Sequence, residues 1–344
     1  FMFIKPMLGT IALIVFFGVG IDVIRRLFFL RRRSLAGKHV LITGGSAGIG
    51  KELARALLHK QARVTLLART EAKLKEAADE LRSACEKVGI SAPAVSYVCA
   101  NISDQAALDA AVSQATATHG EIDVLICNAG SATPGLYLDM PVETYAKQMD
   151  VNYLGTLRCI KAVTPGMVKR RDGQIIIVAS ACACVSFLGY SSYAPTKFAL
   201  RGLADALRNE LVGFGISVHI AYPPDTDTPG FALENMSKPP ETLAMVPVDA
   251  YPAHKVAECI LAYAEAGFYH LFSPDLLQNW LVSASAGISP RAYPFMESLL
   301  LPLASLVESL AVVWFDYHGR KMAKRYTANE TGTSSLPAET KKAK

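Results

Sequence analysis

A glycine-rich turn between a short apolar run and a helix-forming stretch constrains this chain more than any other feature. His39–Thr43 is β-branched and apolar; Gly44-Gly45-Ser46-Ala47-Gly48-Ile49-Gly50 follows, and then Lys51–Lys60. Glycines placed after a strand permit a tight turn and close backbone approach to a pyrophosphate. The helix that follows presents its positive end to the same spot. Strand, turn and helix in this order predict a dinucleotide-phosphate cradle formed by Gly44, Ser46, Ala47, Gly48, Ile49 and Gly50.

The alternation continues along the body. Val64–Ala68, Val95–Ala100, Asp123–Cys127, Gln174–Ala179 and Ser217–Tyr222 are further short apolar runs, separated by segments long enough for crossover helices. This pattern predicts an α/β fold: a Rossmann-type doubly wound parallel sheet, in one domain over residues 34–275.

Charge is distributed unevenly. The chain carries 35 Lys+Arg and 30 Asp+Glu, net +5, yet residues 1–33 and 320–344 are each basic and the body between them is acidic. A body of that sign argues against nucleic acid as a partner. Seven cysteines without any C-x-x-C pair give no zinc site, no other metal site and no disulfide framework.

Residues 1–33 read as a retained membrane anchor with a basic flank. Pro6–Ile21 is uncharged and mostly apolar, and Arg25, Arg26 and Arg31-Arg32-Arg33 come after it, the reverse of a cleaved signal. The arginines place the body on the cytosolic side. Residues 276–319 form a hydrophobic extension with three readings: membrane contact, substrate entrance or an interface in a homo-oligomer. Pro302 is expected to break it, and residues 324–344 to form a loose tail.

Arg69 ends the second strand, where a carboxylate would bind an unphosphorylated ribose. A guanidinium there, with Lys73 beyond it, favours a 2′-phosphate and hence NADPH. Tyr193 and Lys197 share a helix face at i and i+4. Pro195 between them requires the helix to begin just before Tyr193. Ser180 follows the fifth strand, Asn128-Ala129-Gly130 the fourth, and Asn152 lies between. These are the positions where strand C-termini of such a sheet converge.

With these motifs in this order, the chain resembles the short-chain dehydrogenase/reductase family over roughly residues 36–275. The resemblance implies a catalytic tetrad of Asn152, Ser180, Tyr193 and Lys197. Tyr193 would be the general acid, with the Lys197 ammonium favouring its phenolate and gripping the nicotinamide ribose. Ser180 would orient the carbonyl, and Asn152 would hold a water linked to Lys197. It also implies cofactor contacts from Asn128, Ala129, Gly130, Pro223 and Thr228. Two departures stand out: Asn101-Ile102 replaces the usual Asp after the third strand, and Pro223-Pro224 replaces Pro-Gly after the sixth.

The stretch Tyr222–Phe231 is similar to that of the branch reducing a long-chain amphiphilic keto-amine with NADPH at the endoplasmic reticulum membrane, its catalytic domain facing the cytosol. Asp225 and Asp227 would offset the substrate's ammonium, and loops 131–138 and 181–192 would line its pocket. Membrane-anchored members acting on 3-ketoacyl-CoA, steroids or retinoids share anchor and tetrad. A non-catalytic scaffold is the remaining alternative, and retention of all four tetrad residues argues against it.

Overall fold

The computed structural model describes residues 15–24, 30, 32–90, 93–245 and 249–330, with side chains placed through residue 326. In chain order the elements are α1 (Val15–Ile24), β1 (His39–Thr43), α2 (Gly48–His59), β2 (Arg63–Ala68), α3 (Glu71–Lys87), β3 (Val95–Cys99), α4 (Gln105–His119) and β4 (Val124–Cys127). Then come α5 (Val142–Met149), α6 (Gly155–Arg170), β5 (Gly173–Val178), α7 (Ala194–Leu211), β6 (Ile216–Ala221), β7 (Thr226–Asp227) and α8 (Pro229–Ser237). The chain ends with α9 (Pro240–Met245), β8 (Tyr251–Pro252), α10 (Ala253–Glu265), β9 (His270–Leu271), α11 (Leu276–Ala284) and α12 (Pro294–Glu330).

Seven strands form one parallel sheet in the order β3-β2-β1-β4-β5-β6-β9. Strand order reverses between β1 and β4, which opens a crevice at their C-terminal ends. All five residues of β1 are buried, as are all of β4 and β5. Helices cover both faces, so the central strands have no wet side and read as continuous apolar runs.

The six strands expected from sequence are present to within a residue at either end. β9 escaped the reading because it offers only two residues, His270 and Leu271, to the edge of β6. The core continues beyond residue 275, to Val282 and Ala292. Arg33, read with the basic flank, is fastened to the body: its guanidinium donates to Asp172 Oδ1 (2.7 Å) and to Gly215 O (2.6 Å).

Two expectations at the C-terminus are corrected. Pro302 does not break the chain there; it lies inside α12, a 37-residue helix. A proline removes one intrahelical N–H and crowds the preceding turn, a cost the remaining turns absorb. The tail is helical as far as Glu330. Most of the expected anchor, together with Arg25, Arg26, Arg31 and residues 331–344, lies outside the described residues.

Candidate active site

The glycine turn has the shape its sequence predicts. Gly44 and Gly48 adopt φ of +66° and +55°, the left-handed region open to glycine. A Cβ on Gly50 would stand 2.3 Å from Gly44 O and 2.6 Å from Asn128 Nδ2, so no side chain fits there. Ala47, the residue before α2, has no side-chain cap to offer, which leaves the first N–H groups of the helix available to an anion. Ser46 and Ile49 are half-buried beside it, and Ala47 is exposed.

Thr43, which the sequence reading passed over, organises this end of the sheet. Its Oγ1 accepts from Asn128 N and Ala129 N, both at 3.0 Å. Asn128 Nδ2 donates to Thr43 O (3.2 Å) and Gly44 O (3.3 Å). Asn128 therefore braces the turn with its side chain. Arg69 and Lys73 are both exposed at the end of β2 and the start of α3. Asn101 Oδ1 accepts from Ser103 N (3.2 Å), while the Ile102 side chain is buried against Gly155, which leaves only its backbone for a ligand. Pro223 O accepts from Ala181 N (3.1 Å) and joins the loops after β6 and β5. Thr228 caps α8 through Phe231 N (3.1 Å), and its methyl group lies against Gly48.

The four expected catalytic residues lie on elements that meet at the C-terminal ends of β4 and β5. Ser180 ends the chain's exit from β5 and accepts from Cys182 N (3.2 Å). Tyr193 stands one residue before α7 as its N-cap, with Pro195 in the first turn. The helix thus begins just after Tyr193, and Pro195 falls where its missing N–H costs no helical bond. Lys197 is buried and its Nζ donates to Val178 O (3.2 Å), 5.5 Å from the centre of the Tyr193 ring. Asn152 belongs to a π-helical turn, Asp150–Leu154, between α5 and α6.

Asn152 is bonded through its whole amide group. Its Oδ1 accepts from Ser131 N (2.9 Å), and its Nδ2 donates to Ser131 O (2.9 Å) and Thr196 Oγ1 (3.1 Å). Both ends of the amide are held by protein, and the side chain clamps the loop after β4 to α7. Gly130 lies in that junction: a Cβ there would come within 3.2 Å of Asn152 Oδ1 and 3.6 Å of Lys197 Nζ.

Electrostatics define the protonation states. Burial lowers Lys197 to about 8, so its ammonium persists at neutral pH but with little margin. Burial is also the largest influence on Tyr193 and holds its phenol well above the ordinary range. Cys182, Glu234 and Asp225 push the same way, and only the hydrogen bond with Ser180 lowers it. Burial thus penalises the phenolate and keeps the proton on the Tyr193 oxygen.

An acidic corner borders Tyr193, and the sequence reading named only part of it. Tyr190 OH donates to Glu234 Oε1, and its ring centre lies 6.0 Å from that of Tyr193. Lys238, buried, pairs with Glu234 at 3.4 Å and sits 4.4 Å over the Phe231 ring. Asp225 is half-buried; burial raises its pKa first, Lys238 opposes that, and Glu234 adds to it. Two carboxylates thus face one ammonium. Asp227 is exposed on β7. Glu234 and Lys238 stand at i and i+4, a spacing visible in sequence but given no role there.

The loops after β4 and β5 are laced together. Gly135 N donates to Gly189 O (2.9 Å), Ser192 Oγ to Thr133 O (3.0 Å), and Tyr145 OH bonds Ser191 Oγ (2.8 Å). Both loops border the catalytic residues, as their positions after the strands predict.

The sheet order, the glycine cradle and the Ser180–Tyr193–Lys197 grouping define a carbonyl reductase site of the nicotinamide-dependent kind. Residues 38–238 match the short chain dehydrogenase family, and the chain belongs to it. Over 290 residues it is 36% identical to a 3-ketodihydrosphingosine reductase of Dictyostelium discoideum, covering 81% of this chain and 86% of that protein. A 3-dehydrosphinganine reductase of Danio rerio is 38% identical over 290 residues, covering 83% of this chain and 85% of the relative. Among solved structures, an actinorhodin polyketide ketoreductase variant with NADPH superposes with a TM-score of 0.62 at 27% identity, covering 70% of this chain and 97% of that one. The open glycine turn and uncapped α2 fit a nicotinamide cofactor.

Proposed function

We propose that this chain reduces 3-ketodihydrosphingosine to dihydrosphingosine, with NADPH as the reductant. The observation that carries the proposal is the match to reductases so named over about four-fifths of the chain. The acidic corner beside Tyr193 agrees with it, because the substrate bears an ammonium next to its ketone. Exposed Arg69 and Lys73 at the end of β2 suit the 2′-phosphate that separates NADPH from NADH.

When bound, the cofactor supplies a hydride to the carbonyl carbon. The chain's residues handle the charge that develops on the oxygen. Ser180 donates a hydrogen bond to that oxygen and fixes its direction. Tyr193 gives up its proton there; its raised pKa ensures that the proton is present at neutral pH. Lys197, charged below about 8, stabilises the resulting phenolate and grips the cofactor ribose. Asn152 keeps the loop at Ser131 and the start of α7 in register.

Asp225 and Glu234 would hold the substrate ammonium, Lys238 keeping the pair from mutual repulsion. The alkyl tail needs shelter, since each CH₂ left in water costs about 0.8 kcal/mol. Among the described residues, α12 is long and apolar enough to cross a membrane. With the basic N-terminal flank it supports attachment to the endoplasmic reticulum membrane, the domain facing the cytosol.

The test is turnover of purified full-length protein with NADPH on four substrates: 3-ketodihydrosphingosine, a 3-ketoacyl-CoA, a steroid ketone and a retinoid aldehyde. Preference for the keto-amine is expected. Higher kcat/KM on any of the others would replace the proposal.

A further inference from the structure

α12 has the composition of a membrane span, but its packing is that of a helix lying along the catalytic domain. Positions Leu301, Ala304, Ala311, Phe315, His318 and Met322 are buried or half-buried, and they repeat at intervals of three, four and seven. That spacing marks one face of a helix, covered up to Ala304 and again from Ala311, with Ser305–Leu310 exposed between. Ala304 and His318 are almost completely covered. α12 meets the body at several points along its length. Leu301 and Ala304 line one cavity with Tyr263, Phe272 and Trp280, the Phe315 ring lies 6.4 Å from that of Phe187, Arg325 pairs with Glu241 (3.1 Å), and Tyr326 OH donates to Asp139 (3.1 Å). A bilayer's hydrocarbon core requires about 20 consecutive residues. No stretch of that length between Glu297 and Tyr326 is clear of the domain.

The opposite face is bare. Leu299, Leu303, Leu306, Leu310, Val313 and Tyr317 are all more than half exposed and repeat at the same three-and-four spacing. Glu308, the one acidic residue of the apolar stretch, is exposed but lies on the helix face of the covered positions, away from the bare apolar row. In the last turns the bare face becomes basic, with Arg320, Lys321 and Lys324 exposed. The start of α12 is tied to α1. Asp22, buried, accepts from Phe295 N and Met296 N, both at 3.1 Å, and so caps the helix from another segment. A Cβ on Gly18 would stand 2.3 Å from the Phe295 ring, which shows how closely the two helices approach. Phe16, Phe17 and Ile21 of α1 are exposed as well.

We propose that α12 does not cross the bilayer but lies in its plane, one face on the catalytic domain and the other in lipid, beside the mouth of the active site. An apolar face continuous with α1 and ending in a cluster of lysine and arginine fits anionic headgroups over acyl chains. Phe187 and Asp139, the residues α12 touches, lie on or next to the loops that border Ser180 and Tyr193. The membrane surface is thereby held against the opening through which a lipid substrate enters. This rests on the membrane attachment proposed above and specifies its geometry.

The experiment uses full-length protein added to sealed phosphatidylcholine–phosphatidylserine vesicles. An epitope tag after Lys344 reports its side by protease digestion. A Leu306→Trp substitution, in a chain with Trp280→Phe and Trp314→Phe, reports depth through quenching by lipids brominated near the headgroup or near the chain end. The expected result is a digested tag and several-fold stronger quenching by the shallow bromines. A protected tag, or stronger quenching by the deep ones, would show a span and overturn the proposal. A digested tag without quenching would show that this face meets something other than lipid and would overturn it too. Absence of vesicle binding would remove the membrane reading itself.

Discussion

Lys197 Nζ lies 5.5 Å from the centre of the Tyr193 ring and donates to Val178 O at the end of β5. The helix that carries both residues begins right after Tyr193, so the lysine enters the core while the tyrosine stays at the crevice. Burial lowers Lys197 to about 8. The group is charged below that value and neutral above it. The expected outcome is a kcat/KM for ketone reduction that falls as pH rises through about 8, because this quantity reports the free enzyme. A profile flat from pH 7 to 10 would contradict the role given to Lys197.

Gly50 has no room for a methyl group, since its Cβ would meet the Gly44 carbonyl and the Asn128 amide. The first is backbone of the turn, and the second is a side chain held by Thr43 O and Gly44 O, so neither swings aside freely. Gly50→Ala is expected to weaken NADPH binding by at least about tenfold, about 1.4 kcal/mol, measured by calorimetry. A melting curve run alongside separates loss of the site from loss of the fold. Wild-type affinity in a folded variant would show that the turn is not the cradle.

Glu234 and Asp225 set the charge beside Tyr193. Glu234→Gln is expected to raise KM for the keto-amine roughly tenfold, the scale of a charge-assisted hydrogen bond. KM for the corresponding ketone without the amine should change little. Equal losses on both substrates would assign Glu234 a purely structural role through Tyr190 and Lys238.

His219 is buried with Nδ1 at 2.6 Å from Phe268 O and Nε2 at 3.0 Å from the Gln174 amide, a setting for a neutral ring. Burial lowers it to about 4, and His270 to about 3. Below pH 6.5 the unfolded chain takes up protons that the folded chain refuses. Stability therefore falls as pH drops from 6.5 toward 4, by about 1.4 kcal/mol per pH unit for each histidine. Urea midpoints across that range test this, and a His219→Gln variant should show a shallower slope.

The α/β layering was legible in the sequence because a strand buried on both faces is a solid apolar run. Val40, Leu41 and Ile42 point to alternating faces of the sheet and are all buried. The candidate catalytic set was legible because Ser180, Tyr193 and Lys197 hold fixed offsets from a strand end and a helix start. What escaped detection depends on distant pairing. Thr43 reads as the last residue of a strand until Asn128 and Ala129 are seen to donate to it. Asp22 reads as an interruption of an apolar run until the start of α12 arrives 273 residues later. Pro302 reads as a break because local propensity carries no information about the domain that supports α12 along one side.

The measurement that bears most directly on the account is the steady-state reduction of 3-ketodihydrosphingosine by wild-type protein and by Tyr193→Phe, each with saturating NADPH. General acid catalysis contributes about 10² to 10⁴ in rate, so the variant is expected to lose at least about a hundredfold in kcat while still binding NADPH. Phenylalanine keeps the ring and removes only the proton donor. A variant that turns over at the wild-type rate, or a wild-type protein inert toward this ketone, would contradict the account.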